Sequence, residues 1–144
     1  MLKTVNLSEV IAGKKPITVN SGVTVREASQ VMSRAEKGAI MVLSEGRLRG
    51  IFTERDLLKR VVAEGLNPDS VTIDDVMTKS LVVGSPDDSY PRALQKMVSA
   101  KCRHLPVVKG DKVVGLVSRR DLMAIDIEVM EEELDLRDPA TLFI

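Results

Sequence analysis

The chain has 144 residues, of which 44% are apolar, and its 21 basic and 21 acidic residues give a formal net charge of zero. This balance, with one tyrosine and two phenylalanines, argues against nucleic acid as a partner, because such binders usually carry a positive field or a stacking platform. No run of about 18 apolar residues and no leader-like segment occurs, which predicts a cytoplasmic protein without membrane contact. A single cysteine, Cys102, excludes an internal disulfide bond.

The first half of the chain predicts the order helix, strand, helix, β-hairpin and helix. These elements are predicted over residues 7–11, 17–19, 24–38, 39–52 and 53–65. Thr24 and Glu27 have the spacing of a capping box at a helix start, and Glu45-Gly46-Arg47 is typical of a hairpin turn. Gly65 is a natural helix C-cap.

The second half predicts the same order after the linker-like residues 67–70. Its elements are predicted over residues 72–77, 81–83, 89–101 and 105–117, with a helix from 118. That last helix is predicted to be longer than its counterpart and to carry a solvated acidic face, whereas the apolar end, Leu142–Ile144, is predicted to dock on the protein or on a second subunit. The predicted boundaries are a first repeat at 7–66, the linker at 67–70, a second repeat at 71–127 and an extension at 128–144.

The two halves repeat each other at a fixed offset of 65 positions: Gly50 in the first half corresponds to Gly115 in the second. The same offset pairs Ala28 with Ala93, Met32 with Met97, Ala35 with Ala100, Asp56 with Asp121 and Leu57 with Leu122. A unit of about sixty residues is too small to close a good core alone. The two copies are therefore predicted to pack on each other with approximate two-fold symmetry.

One motif occurs in both copies, at Gly50–Asp56 and Gly115–Asp121. Each copy reads glycine, two apolar residues, a hydroxyl residue, two polar residues and aspartate, which predicts a strand that enters the first turn of a helix. The hydroxyl residue and the aspartate form a capping box, which satisfies free N–H groups at the helix start. Arginines in both copies place cations beside amides that attract anions. We expect both a helix cap and a site for a phosphate-ended ligand.

The ordered set of motifs resembles a tandem pair of CBS domains, the regulatory module named after cystathionine β-synthase, and in particular the small proteins that consist of one pair. The segments that carry the resemblance span roughly residues 7 to 126 and are Ile17–Val19, Gly38-Ala39, Gly50–Leu57, Asp74–Thr78, Arg103–Val108 and Gly115–Leu122. The resemblance implies an α/β fold of order β-α-β-β-α per repeat, with the repeats paired through their small sheets by pseudo-two-fold symmetry. It also implies clefts for AMP, ADP, ATP or a related adenosyl compound such as NAD(H) or S-adenosylmethionine.

Carried onto this sequence, the resemblance implies a role for each motif residue. Asp56 and Asp121 would hold the ribose hydroxyls, and Thr53 and Ser118 would meet the phosphates. The implied groups that neutralise phosphate charge are Arg55, Arg103, His104, Arg119 and Arg120, and the implied adenine pocket comprises Ile17, Val19, Ala39, Val82, Leu105 and Pro106. Elementary chemistry agrees, because a carboxylate accepts two hydrogen bonds from a vicinal diol whereas a phosphate needs donors and positive charge.

The two predicted sites differ in sequence. The second copy carries Arg103 and His104 where the first carries Gly38 and Ala39, and its Gly84 replaces Val19, which would remove an apolar wall for adenine. One site is therefore expected to prefer a different number of phosphates, or to stay empty. His104 and Cys102 are two residues apart, but they predict neither a metal site nor a catalytic dyad, so we expect no enzyme activity.

Two classes of function follow from the sequence. The first is a non-enzymatic sensor that binds an adenosyl ligand and signals to an unknown partner protein. The second is a structural or dimerisation module whose motifs are only helix caps. In both cases the resemblance implies a homodimer that forms through the helices following Asp56 and Asp121.

Overall fold

The structure is a computed structural model that describes residues 5–137, so the prediction for Leu142–Ile144 lies outside the described residues. The chain forms an α/β fold of six α-helices, one π-helical segment and five strands within that range. In chain order they are α1 (Leu7–Ile11), β1 (Thr18–Asn20), α2 (Val25–Ala35), β2 (Ala39–Ser44), β3 (Arg47–Thr53), α3 (Glu54–Asp56) with the π-helical segment Leu57–Val62, α4 (Ile73–Val76), α5 (Tyr90–Ala100), β4 (His104–Lys109), β5 (Lys112–Ser118) and α6 (Arg119–Arg137).

The strands form two small sheets that meet through β3 and β5. In the first sheet β1 pairs parallel with β2, and β2 pairs antiparallel with β3, whereas the second sheet is the antiparallel pair of β4 and β5. Both predicted hairpins are confirmed. The first turns at Glu45 and Gly46, whose φ values of 53° and 78° match the turns that suit the twist of a two-stranded ribbon.

The prediction of a strand at residues 81–83 is wrong. This segment is irregular, and the second half has in its place a single parallel bridge between Gly84 and Val107. A Cβ atom at Gly84 would lie 2.9 Å from Leu7 and 2.9 Å from Leu105. Glycine at this position is therefore explained by the close packing of α1 against β4.

Helices α2 and α5 end at equivalent residues, 65 positions apart, and neither ends at a glycine. Glu36 and Lys101 adopt the left-handed conformation, with φ of 56° and 55°, and their amides donate to carbonyls of the preceding turn. The helix predicted to end near Gly38 thus ends at Ala35, because Glu36 itself is the cap.

Each of the two hydrophobic cores is completed by the short helix that belongs, in sequence, to the other half. Leu7 and Val10 of α1 pack in the second core, and Ile73 and Val76 of α4 pack in the first. The remaining buried members are Val25, Ala28, Met32, Ile40, Val42, Phe52, Val61 and Met77 in the first core, and Tyr90, Ala93, Met97, Leu105, Val107, Val117 and Leu122 in the second. Neither half therefore closes a core from its own residues alone.

The two motif glycines provide the space for these exchanged helices. A Cβ atom at Gly50 would lie 2.5 Å from Met77 Sδ and 2.9 Å from the Thr78 carbonyl oxygen, and one at Gly115 would lie 2.6 Å from Ile11 Cγ2. Real Cβ atoms essentially never approach other atoms so closely. The glycine of the motif is thus required by the packing of the two halves.

Polar contacts hold α4 on the first half. Asp74 accepts hydrogen bonds from the Ser21 hydroxyl and from the Gly22 amide, the latter at 2.7 Å, and the Ile73 amide donates to the Val23 carbonyl at 2.8 Å. The hydrogen bond from Ser21, followed by that from Gly22, lowers the pKa of Asp74 below its usual value. The Asp74 carboxylate therefore contributes to the interface between the two halves.

We expect Gly115→Ala to lower the free energy of unfolding by about 1–3 kcal/mol, because the new methyl group would overlap Ile11. Chemical denaturation of the purified variant measures this loss. Gly38→Ala is the matched control, since its nearest neighbour at 3.2 Å is the flexible carboxylate of Glu54. The double variant Ile11→Ala/Gly115→Ala should lose less free energy of unfolding than the sum of the losses in the two single variants. Strictly additive losses would contradict the assigned contact.

Candidate functional site

A cleft of about 350 Å³ lies between the first motif and the segments that lead into the second half. It brings together six of the predicted site residues, three from the first half (Thr53, Arg55, Asp56) and three from the second (Val82, Arg103, His104). The other lining residues are Gly38, Ile51, Glu54, Thr78, Ser80, Leu81, Ala100, Lys101 and Cys102. Motif residues of one half thus face cationic residues of the other.

The motif in each half forms a capping box, as predicted. The Asp56 amide donates to Thr53 Oγ1 at 3.1 Å, and the Thr53 amide donates to Asp56 Oδ2 at 3.0 Å. Ser118 and Asp121 repeat both hydrogen bonds at 3.0 Å. The hydroxyl and carboxylate groups of the motif are therefore oriented by the protein itself.

The helix-start amides are less available to an anion than the sequence predicts. The Glu54 amide donates to the Gly38 carbonyl at 3.0 Å, and the Arg119 amide donates to the Arg103 carbonyl at 2.8 Å. The first and third backbone amides of α3 and of α6 therefore already donate hydrogen bonds within the protein. A phosphate at this place would rely mainly on side chains.

Asp56 is the one buried charged residue in the part of the chain that the structure describes, with 8% of its surface exposed. The Thr78 hydroxyl donates to Oδ1 at 3.3 Å and to Oδ2 at 3.5 Å, and Arg60 Nε lies 3.6 Å from Oδ1. A buried carboxylate requires such partners, because an unpaired charge away from water costs several kcal/mol. The environment of Asp56 is therefore built from both halves.

The two motif aspartates are not equivalent. At the offset of 65, Gly13 stands in the place of Thr78, and Ile125 stands in the place of Arg60. Asp121 therefore cannot make the two side-chain contacts that surround Asp56. The sequence predicts unequal sites from Arg103, His104 and Gly84, but it does not predict this difference, because Thr78 and Arg60 lie outside the motif.

The remaining predicted site residues do not line this cleft. Ser118, Arg119, Arg120 and Asp121 belong to the second motif, and Ala39, Leu105 and Pro106 are buried. Ile17 and Val19 are half-buried against the first core. Their ligand roles stay predictions. Two apolar residues that line the cleft, Ile51 and Leu81, were not predicted from the sequence. Leu81 could have been predicted, because it is adjacent to Val82, which was.

Cationic side chains outnumber anionic ones among the exposed charged residues that line the cleft. Arg55, Lys101 and Arg103 are exposed cations, and Glu54 is an exposed anion. His104 is half-buried, and burial lowers its pKa, while the charges of Asp121 and Glu54 oppose this effect and Arg103 adds to it. His104 is therefore mostly neutral at pH 7 and offers a hydrogen bond rather than a full charge.

The described residues contain neither a group of three His, Cys, Asp or Glu side chains placed to hold a metal ion nor a helix long and apolar enough to span a membrane. Cys102 has a free thiol, lines the cleft and is partly buried against the second core.

Fold and cleft together define a module of paired repeats with a cleft at their junction. The family model of the CBS domain matches the chain twice, over residues 7–63 and 73–128. The chain therefore belongs to the CBS-domain family, as a tandem pair.

Curated and structural relatives agree with this family. The chain is 37% identical over 119 residues to the CBS domain-containing protein CBSCBSPB2 of Arabidopsis thaliana, a match that covers 82% of this chain and 22% of that protein. It thus spans about a fifth of the length of that relative. A protein with CBS domains from Burkholderia ambifaria superposes with a TM-score of 0.80 at 28% identity, over 88% of this chain and 95% of that one. A CBS domain protein from Pyrobaculum aerophilum, complexed with AMP, has a TM-score of 0.78 at 26% identity, over 88% and 99%.

We expect the free energy of unfolding to fall as the pH decreases from about 7 to 5, in part because of His104. Its pKa in the folded protein lies below the ordinary value of 6.5, so the unfolded chain binds more protons in this range and acid favours unfolding. Urea denaturation at several pH values measures the slope. His104→Gln should flatten it, and an unchanged slope in this variant would refute the assignment.

Proposed function

We propose that this CBS pair is a non-enzymatic sensor that binds an adenosine-containing ligand in the cleft at Asp56 and signals its presence to an unknown partner protein. The observation that carries the proposal is the cleft itself, in which Thr53 and Asp56 of one half face Arg103 of the other. The AMP complex of the Pyrobaculum relative supports the ligand class. AMP, ADP and ATP are the proposed ligands, and NAD(H) and S-adenosylmethionine share the adenosyl group.

The chemistry of the lining suits each part of such a ligand. The Asp56 carboxylate can accept from the ribose diol, and the Thr53 hydroxyl with Arg55 and Arg103 can meet a phosphate. Apolar side chains at Ile51, Leu81 and Val82 offer a surface for adenine. A volume of about 350 Å³ is at the small end of ligand pockets, which favours a mononucleotide.

Asp121 and its arginines are proposed to form the second, weaker site. The predicted phosphate roles of Ser118, Arg119 and Arg120 and the predicted adenine contacts of Ile17, Val19 and Ala39 belong to that site by the two-fold relation. The predicted repeat boundaries and a cytoplasmic location also stay predictions.

A structural module without a ligand is the second candidate. The complete capping boxes in both motifs favour it, because they give Thr53 and Ser118 a role that needs no nucleotide. Nucleotide binding separates the two candidates, since a cap alone predicts no ligand.

Asp56→Asn is expected to weaken AMP binding by about 10- to 100-fold, because it removes charge-assisted hydrogen bonds to the ribose. Isothermal titration of nucleotide-stripped protein with AMP, ADP, ATP, NADH and S-adenosylmethionine measures this change.

Asp121→Asn is the matched control for that experiment and should leave the tighter binding event intact. If neither substitution changes the affinity, Asp56 is not the ribose ligand. If the unsubstituted protein binds none of these compounds, the structural candidate is correct.

We further propose a homodimer that forms through the helices following the two motifs. Leu58 and Val62 are 61% and 63% exposed, and their equivalents at the offset of 65, Met123 and Ile127, are 49% and 54% exposed. Met130 and Leu134 continue the second pair along α6 at helical spacing. Such apolar stripes are typical of surfaces that a partner covers.

The double substitution Leu58→Lys and Val62→Lys is expected to convert the dimer into monomers, which sedimentation or light scattering would detect. Val98→Lys is the matched control, because Val98 is as exposed as Leu58, at 61%, but lies on α5. A dimer that survives the double substitution, or dissociates equally with the control, contradicts this interface.

A further inference from the structure

Thr78 contacts both oxygens of Asp56 with a single hydroxyl group. Its distances of 3.3 Å and 3.5 Å are long for an O–H···O hydrogen bond, which is usually about 2.7–2.8 Å. One proton is thus shared between two acceptors. This geometry is weak, and it engages both carboxylate oxygens, each of which could accept one hydrogen bond from a vicinal diol.

The backbone of Thr78 is fixed in place. Its amide donates to the Ile51 carbonyl at 2.8 Å, and its carbonyl accepts from the Ile51 amide at 3.0 Å. Arg60 adds a second restraint, because Nη1 donates to the carbonyls of Val76 and Met77 at 3.2 Å and 3.1 Å. Thr78 can therefore release Asp56 by turning its side chain, without a change in the backbone.

Asp56 needs a donor whether or not a ligand is present. The Thr53 amide satisfies part of Oδ2, and the rest of this buried carboxylate is served by Thr78 and, at longer range, by Arg60. A buried acceptor left without a partner is destabilising, and more so when it is charged. A ligand that donates to both oxygens of Asp56 must therefore displace the Thr78 hydroxyl.

We propose that the Thr78 hydroxyl competes with the ribose diol for the Asp56 carboxylate, and that Thr78 is therefore a specificity-determining residue. The proposal rests on the function proposed above. A ligand with both ribose hydroxyls replaces the one weak donor with two, whereas a deoxyribose supplies one hydroxyl and leaves Thr78 in contact with the other oxygen. Asp121 of the second motif has no such hydroxyl donor, because Gly13 occupies the position that corresponds to Thr78.

The test compares AMP with 2′-deoxy-AMP by isothermal titration on the unsubstituted protein and on Thr78→Val. We expect the variant to bind AMP about fivefold more tightly, since no hydrogen bond must be broken, and to bind 2′-deoxy-AMP with unchanged affinity. The preference for ribose therefore widens about fivefold. Thr78→Ser retains the hydroxyl and should behave as the unsubstituted protein, and Thr78→Ala provides a second hydroxyl-free variant if valine impairs folding.

Each result has a defined meaning. Equal changes for both nucleotides indicate a purely structural role for Thr78 and overturn the inference, as does a selective loss of AMP affinity, which would make the hydroxyl a ligand contact. In both cases the sensor function stands, because the unsubstituted protein still binds AMP. Absence of binding by the unsubstituted protein overturns the proposed function, and the inference with it.

Discussion

The close approach of α1 to Gly115, and of the residues that follow α4 to Gly50, is the constraint on which the rest of the structure depends. Neither half buries enough apolar surface to close a core, and each core is completed by a helix from the opposite half. The contact requires glycine, because a side chain would overlap Ile11 or Met77. The glycine that opens each motif therefore serves assembly, while the residues at the end of the first motif line the cleft.

The cleft is a direct consequence of that packing. Because α4 rests on the first half and Thr78 pairs with Ile51 on β3, the chain that follows runs past the motif and lines its open side with Leu81 and Val82. Lys101, which caps α5 in the left-handed conformation, reaches the same cleft together with Arg103. The site thus exists only where the two halves meet, and a change in their contact would change its shape.

Most of the fold could be predicted from the sequence, and most of the detail of the site could not. Periodicity and turn residues located both hairpins, the long helices and the capping boxes, because these depend on neighbours in the sequence. The failures concern contacts between distant residues. Gly84 was predicted only to remove an apolar wall for adenine, but it lies against Leu7, and Thr78 was given no role of its own, but its hydroxyl donates to Asp56. A pattern within one repeat carries no information about such partners.

The exchanged short helices also set the order in which the molecule can be completed during synthesis. The first core can close once α4 has been made, because Val76 at the end of α4 lies only 14 residues beyond Val62, the end of the π-helical segment. Ile11 and Gly115 are separated by 104 residues, as 115 minus 11 shows, so the contact of α1 with the second core is among the most distant in the chain. Contacts of such long range form late and slow folding. Until β5 has been made, α1 lacks its partner in the second core, and its apolar residues Leu7 and Val10 stay exposed.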